Sequence, residues 1–170
     1  MSDTALDIIE IDSPEQAIPK ITAQPSISMD AVAGILEIGR YFRDNPGPDV
    51  EAHHLFAKGL CARMIHAPAG CTIVSRVHKV ENIGFLISGA MRIYSCDDTE
   101  TEMVAPQVFV SKPGTLRMIV CHTDVLWAAV FPTGCNTEED FELEAFEYAW
   151  TPEEYQRIAS GLGVLKLEAM

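Results

Sequence analysis

From Leu60 to Phe131 the apolar residues come in short runs: "LCARMIHA", "CTIVSRVH", "IGFLISGAMRIYS", "QVFVSKPG", "LRMIVCHTD" and "VLWAAVFP". Gly, Pro or Asp separates them. Such runs predict short antiparallel strands in a sandwich or barrel. No helix-length periodicity interrupts them, which argues against a doubly wound α/β fold, and no internal repeat is visible. Ahead of this region Val32, Ile35, Leu36 and Phe42 recur near helical spacing. Ser28 or Asp30 can cap that helix and "NPGP" at Asn45–Pro48 stops it. Residues 1–27 have little periodicity, and Pro14, Pro19 and Pro25 suit an extended arm lying on its own or a neighbour's surface. Behind the strands, "TEEDFELEAF" opens with Thr137 and Asp140 in a capping pattern, yet Phe141, Leu143 and Ala145 alternate, so helix and strand compete. "TPEEYQRIASG" reads as a helix with Thr151 as N-cap, Pro152 at the first position, Glu154 closing the box and Gly161 at the end. Three segments result: an arm and helix over 1–50, a barrel over 51–135, and an acidic C-terminal extension with a helix over 136–170.

A chain of 170 residues suits one core. No apolar run approaches the ~20 residues of a membrane-spanning helix. The acidic start "MSDTALDIIEID" has no basic stretch followed by an apolar one, so no signal peptide is expected. The net charge of −13 repels phosphate backbones and argues against nucleic acid as a direct partner. Asn136 to Glu154 holds many carboxylates and no Lys or Arg. That segment is either a solvated face or a docking surface for a basic partner. Cys61, Cys71, Cys96, Cys121 and Cys135 are scattered and contain no C-x-x-C pair. They read as reduced thiols packed as small apolar residues rather than as a thiolate zinc site.

The chemistry concentrates in "SRVHKVENIGFLISG", Ser75–Gly89. With the strand pattern, it resembles the first metal-binding box of the cupin superfamily of jelly-roll barrels. Aligned on Gly89, that box places Arg76 and His78 at its two histidine positions and Asn82 at its glutamate. "KPGTLR" matches the second box in part, with Gly114 in place and Arg117 where a histidine stands. Gly59–Thr133 further resembles small cupin proteins encoded by tailed bacteriophages and prophages, through "VHKVEN", "SKPGT" (Ser111–Thr115) and "HTDVLW" (His122–Trp127). The chain departs from those relatives at Asn82 and Phe131, where they carry histidine. The resemblance implies a mainly β, cupin-like antiparallel barrel and a phage setting, a virion or the host cytoplasm.

Alternate residues of a strand share a face, so Arg76 and His78 point one way, toward the barrel interior. Glu81, Asn82 and Arg117 are expected to join them in binding a small anion or polar ligand, or Arg76 simply pairs with Glu81. Guanidinium has no lone pair to give a metal, and two such charges repel a cation. Neither a metal nor another cofactor is therefore expected. The alternative cation set is His78, Glu81 and His122. His53 and His54 are adjacent and are expected on the surface, and His122 in a turn. No serine has a visible base partner. The expected function is that of a non-catalytic phage structural or interaction protein. Its partners would be other subunits, contacted through residues 1–27 and the acidic tail. The alternatives are a metal-dependent cupin isomerase or dioxygenase, and an intracellular phage effector that binds a small polar ligand.

Overall fold

The computed structural model describes residues 26–165, so most of the expected arm, residues 1–25, lies outside the described residues. The first helix, α1 (Met29–Asp44), begins where the Ser28 hydroxyl accepts from the Ala31 N–H. It ends where the Asn45 N–H reaches Tyr41 O, ahead of the proline-glycine stop. Val32, Ile35, Leu36 and Gly39 form its buried face. Ile27 packs on the same cluster and the Ser28 N–H bonds Cys96 O, so the end of the expected arm is anchored to the fold.

Eleven strands follow among the described residues. One sheet has the order β1-β2-β10-β5-β8, built from Glu51–Ala57, Leu60–Ala67, Val125–Pro132, Asn82–Ser88 and Gln107–Ser111. The other has the order β3-β9-β6-β7, from Thr72–Val74, Arg117–Cys121, Ala90–Ser95 and Glu100–Val104. A small pair joins β4 (Val77–His78) to β11 (Phe146–Glu147). All pairings are antiparallel. Leu86 and Val125 of the first sheet pack with Met91, Ile93 and Ile119 of the second, so the sheets face each other across one core. The neighbours β2-β10-β5 and β3-β9-β6 are distant in sequence, as a jelly roll requires. The fold is thus a mainly β, antiparallel jelly roll, of the sandwich-or-barrel class that the strand pattern predicts.

Two details differ from the sequence pattern. "EAHHLFA", expected ahead of the strands, is β1 and pairs along its whole length with β2. The ambiguous "TEEDFELEA" is a helix, α2 (Glu138–Ala145), because the Thr137 hydroxyl accepts from the Asp140 N–H and Phe141 and Ala145 are buried one turn apart. The last helix, α3 (Pro152–Gly161), has the full capping box between Thr151 and Glu154. Its Tyr155, Ile158 and Ala159 meet Val32 and Leu36 of α1 and Val77 and Leu116 of the barrel. A third cluster of Phe131, Phe141, Ala145 and Phe146 seats α2 and β11 on one end of the barrel. All five cysteines are free thiols, and Cys61, Cys71, Cys96 and Cys121 are buried.

Gly89 and Gly114 lie at turns with φ of +90° and +84°. A side chain at Gly89 would run into the Asp124 carbonyl, and one at Gly114 would press on Val164. Both turns flank the elements that carry the site.

Candidate functional site

The two sheets enclose a cavity of about 470 Å³, within the usual size range of small-molecule pockets. Its apolar wall includes Met91, Ile93, Phe109, Ile119 and Trp127. Its polar groups fall into two clusters.

The first cluster surrounds a carboxylate from the acidic tail. Helix α2 turns Glu142 into the cavity. Glu142 Oε1 accepts from Arg63 Nε at 2.8 Å and from His54 Nε2 at 2.7 Å, while Oε2 pairs with Arg76 Nη2. The guanidiniums of Arg76 and Arg63 also lie 4.5 and 5.3 Å from the centre of the Phe146 ring. Burial lowers the pKa of both arginines, yet guanidinium stays charged in proteins. Burial also lowers the pKa of His54, against a pull upward from Glu138, which favours the neutral ring.

The second cluster occupies the positions singled out in the sequence. Asn82 on β5 and Ser111 on β8 are direct cross-strand partners, and both are almost fully buried. Their β-carbons are therefore about 5 Å apart. Asn82 Nδ2 donates to His78 Nδ1 at 3.0 Å and to Val80 O at 3.3 Å. Arg117 Nη1 donates to Ser111 Oγ at 2.7 Å. The Arg117 guanidinium also lies 5.6 Å from the centre of the Phe109 ring. Among the described residues Arg117 makes no ion pair with a carboxylate. Burial, then the charges of Arg117, Arg63 and Arg76, push the His78 imidazole down to about 3, so it is neutral at pH 7.

Arg76, His78, Asn82 and Arg117 therefore line one cavity, but Glu81 does not. Asn82 points inward, so its neighbour Glu81 faces outward, where it pairs with Lys112 Nζ. The expected pairing of Arg76 with Glu81 is replaced by pairing with Glu142. The alternative cation set is dispersed as well. His122 sits in the turn between β9 and β10, 3.1 Å from Glu102 Oε2, and does not line the cavity that His78 lines. Among the described residues no three of His, Cys, Asp and Glu gather as metal ligands.

His54 corrects another expectation. Its ring is buried against Glu142, and only His53 faces solvent. The alternation Ala52, His54, Phe56 on β1 was the available signal. For Glu142 the signal was its spacing of four from Glu138, which puts both on one face once the segment is read as a helix. Arg63, two residues from Cys61 and from Ile65 on β2, was legible by the same alternation.

The donor set does not suit a divalent cation. Two of the positions where the cupin boxes carry histidine hold arginine, which cannot ligate, and a third guanidinium stands nearby. Even at an effective dielectric of 20, like charges 4 Å apart repel by about 4 kcal/mol. Among the charged groups that line the cavity, three guanidiniums, those of Arg63, Arg76 and Arg117, are set against two carboxylates, Glu142 and the largely exposed Glu138. The cavity is cationic within an acidic protein.

No family model and no curated protein sequence matches the chain. Among solved structures it is similar to KdgF from Halomonas sp., with 16% identity over 56% of this chain and 88% of that one, at a TM-score of 0.46. It is also similar to an RmlC-like cupin from Shewanella frigidimarina, with 21% identity over 56% and 84% of the two chains and a TM-score of 0.46. Salicylate 1,2-dioxygenase from Pseudaminobacter salicylatoxidans matches at 12% identity over 58% of this chain and 32% of that one, again at 0.46.

Proposed function

We propose that the chain is a non-catalytic, ligand-binding barrel whose cavity takes a small organic anion. One observation carries this reading. Arg117, which the resemblance aligns with a ligand histidine, lines the cavity between the sheets and has a hydroxyl but no carboxylate partner among the described residues. A half-buried guanidinium is costly unless an anion meets it. The metal-dependent isomerase or dioxygenase alternative loses support from the same residues. The test is thermal melting and calorimetry with benzoate and 3-phenylpropanoate, beside elemental analysis of the purified protein. The expected result is saturable anion binding that Arg117→Gln abolishes. About one transition metal per chain, or no anion binding, overturns the reading.

A second reading, an interaction protein that associates with another copy, is favoured by the outer face of the five-stranded sheet. Residues between the cavity-lining positions point away from it. The pairing registers align Val110, Ile83, Val130, Ala62 and Leu55 in one row, and Val108, Phe85, Ala128, Met64 and His53 in the next. Neither row holds a Lys, Arg, Asp or Glu, and Leu55, Ile83, Phe85 and Ile87 are 61%, 46%, 38% and 48% exposed. Two copies that each carry a net charge of −13 repel least where charge is absent. Light scattering across a concentration series should show a dimer, and Ile83→Glu with Phe85→Lys should give a folded monomer. A wild-type chain that stays monomeric at high micromolar concentration refutes it. Contacts of residues 1–27 and of the exposed carboxylates of the tail with other subunits belong to the same proposal. Its phage setting, virion or host cytoplasm, is carried by the "SKPGT" and "HTDVLW" resemblances alone.

A further inference from the structure

The first polar cluster leaves one buried nitrogen without a hydrogen bond. His54 is an inward residue of β1, an edge strand among the described residues, and its direct partner on β2 is Arg63. The ring stacks on Phe56 with centres 6.4 Å apart and meets Phe141 edge-on at 5.5 Å, and the side chain is only 3% exposed. Nε2 lies 2.7 Å from Glu142 Oε1. That carboxylate is paired with Arg63 and Arg76, so it is ionised and only accepts. The ring proton is therefore on Nε2, which leaves Nδ1 as a bare lone pair. Nδ1 is buried and makes no hydrogen bond, although Glu138 Oε1 stands 3.4 Å away. Two acceptors face each other there.

One proton resolves this. Added to the Nδ1 lone pair, it forms an N–H bond and leaves the Nε2–H bond to Glu142 in place. The resulting imidazolium has its two N–H groups toward two carboxylates one helical turn apart on α2. Glu138 is 65% exposed, so its side chain can swing into line. The charged groups around the ring are Glu138 and Glu142 from α2, Arg63 from β2, and Arg76 from the segment ahead of β4. Burial is the largest influence and lowers the pKa of the ring. Glu138 pulls it upward, and Arg63 and Arg76 push it down again. The ring is thus neutral at pH 7. An anion in the cavity that His54 lines acts in the opposite sense to the two guanidiniums, because it lowers the cost of one more positive charge.

Resting on the anion-binding reading above, we infer that His54 is the proton-uptake site of the cavity, so that a small organic anion binds together with a proton drawn from solvent. The proton goes to Nδ1, and no other covalent bond changes. An anion that favours the charged ring raises its pKa. The affinity for the anion therefore rises as pH falls from the pKa of the anion-bound protein toward the lower pKa of the free one. One proton limits the effect to about tenfold in affinity per pH unit. The other histidine that lines the cavity, His78, is held at about 3 and stays neutral across this range. The barrel then takes up its anion in mild acid and releases it as pH rises.

Calorimetry of benzoate with the full-length protein tests this at about pH 7.5 and about pH 5.5, where the ligand stays ionised, in a cationic buffer that does not compete for the site. Wild type should bind benzoate about threefold or more tighter at the lower pH, and at most about a hundredfold. His54→Gln can still donate to Glu142 but takes up no proton in this range, so its two affinities should agree within about twofold. With ring-labelled histidine in wild type, NMR should show the buried, Nε2-protonated ring of His54 titrating at higher pH with benzoate bound than without it. A wild-type affinity that does not change with pH, or a pH dependence that His54→Gln retains, overturns the proton inference and leaves the anion site standing. So does a His54 titration that benzoate does not move. Failure of benzoate to bind at either pH overturns the anion-binding reading and this inference with it. The wild-type titration decides the matter even if the His54 variant does not fold.

Discussion

Replacing Glu142 by alanine is the most informative perturbation of this barrel. It removes the acceptor for Arg63 Nε and His54 Nε2 and the partner of Arg76. Two guanidiniums that share a carboxylate would then face each other. Removing one member of a fully buried ion pair costs about 3–5 kcal/mol. Here the side chains of Glu142, Arg76 and Arg63 are 18%, 21% and 23% exposed, so water takes over part of the lost interaction. A loss of roughly 2–4 kcal/mol is the discounted value. For a chain of this size each kcal/mol moves the melting temperature by about 2–4 °C, so the drop should be roughly 5–15 °C. Differential scanning fluorimetry and urea titration measure it directly. Acetate supplies an independent check, because the variant has a vacated carboxylate site beside two cations. Acetate at 100 times its dissociation constant restores about 2.7 kcal/mol, and wild type, with Glu142 in place, gains less. An alanine variant melting within about 1 °C of wild type would refute the ion-pair account. So would acetate raising both proteins equally.

Three further outcomes follow from the same geometry. The His78 pKa is depressed from 6.5 to about 3, so the unfolded chain binds the extra proton as pH falls through that window. Stability should fall with acid by up to about 1.4 kcal/mol per pH unit from this group, and urea midpoints of wild type between pH 6.5 and 4.5 should drop more steeply than those of His78→Gln. Gly89→Ala combines φ of +90° with a collision at Asp124 O, and should cost at least about 3 kcal/mol. Gly59→Ala, with φ of +79° and open space around it, should cost only about 1–2 kcal/mol, and equal melting temperatures for the two variants would contradict the collision. Tyr155→Phe deletes the buried bond from its hydroxyl to Gly114 O at 2.8 Å and should destabilise by about 1 kcal/mol in chemical denaturation, with no effect if that carbonyl finds another donor.

The strands were legible because their boundaries carry Gly, Pro and Asp, and because alternation puts Asn82 and Phe131 on the same side as the core. The capped helices α1 and α3 were legible from Ser28 and from Thr151 with Glu154. β1 was not, because an inward histidine at His54 looks like a surface residue when its partner lies 88 positions away at Glu142. Glu142 itself was hidden within an acidic run whose other members Glu139, Asp140 and Glu144 are solvent-exposed. Charge density along a chain reports the average fate of its carboxylates and conceals the one that folds inward. Glu81 misled for the opposite reason. Proximity to His78 in sequence placed it in the site, while the one-residue offset from Asn82 turned it out.

The arginines explain why a barrel of this type need not be a damaged metal enzyme. A site that holds a divalent cation directs lone pairs inward, whereas Arg117 and Arg76 direct protons inward. On the anion-binding reading, the same backbone positions select the opposite charge, with no change in topology. The acidic exterior does not cancel this, because charges on the surface are screened by water while those lining the cavity are not. A damaged site would be expected to collapse onto apolar replacements, which cost less to bury than guanidinium. Instead Glu142 is brought from a separate helix to balance Arg63 and Arg76, and the Arg117 guanidinium is left facing the cavity with Ser111 as its only hydrogen-bond partner among the described residues. Keeping one guanidinium available while neutralising two others is the arrangement that the anion-binding proposal requires.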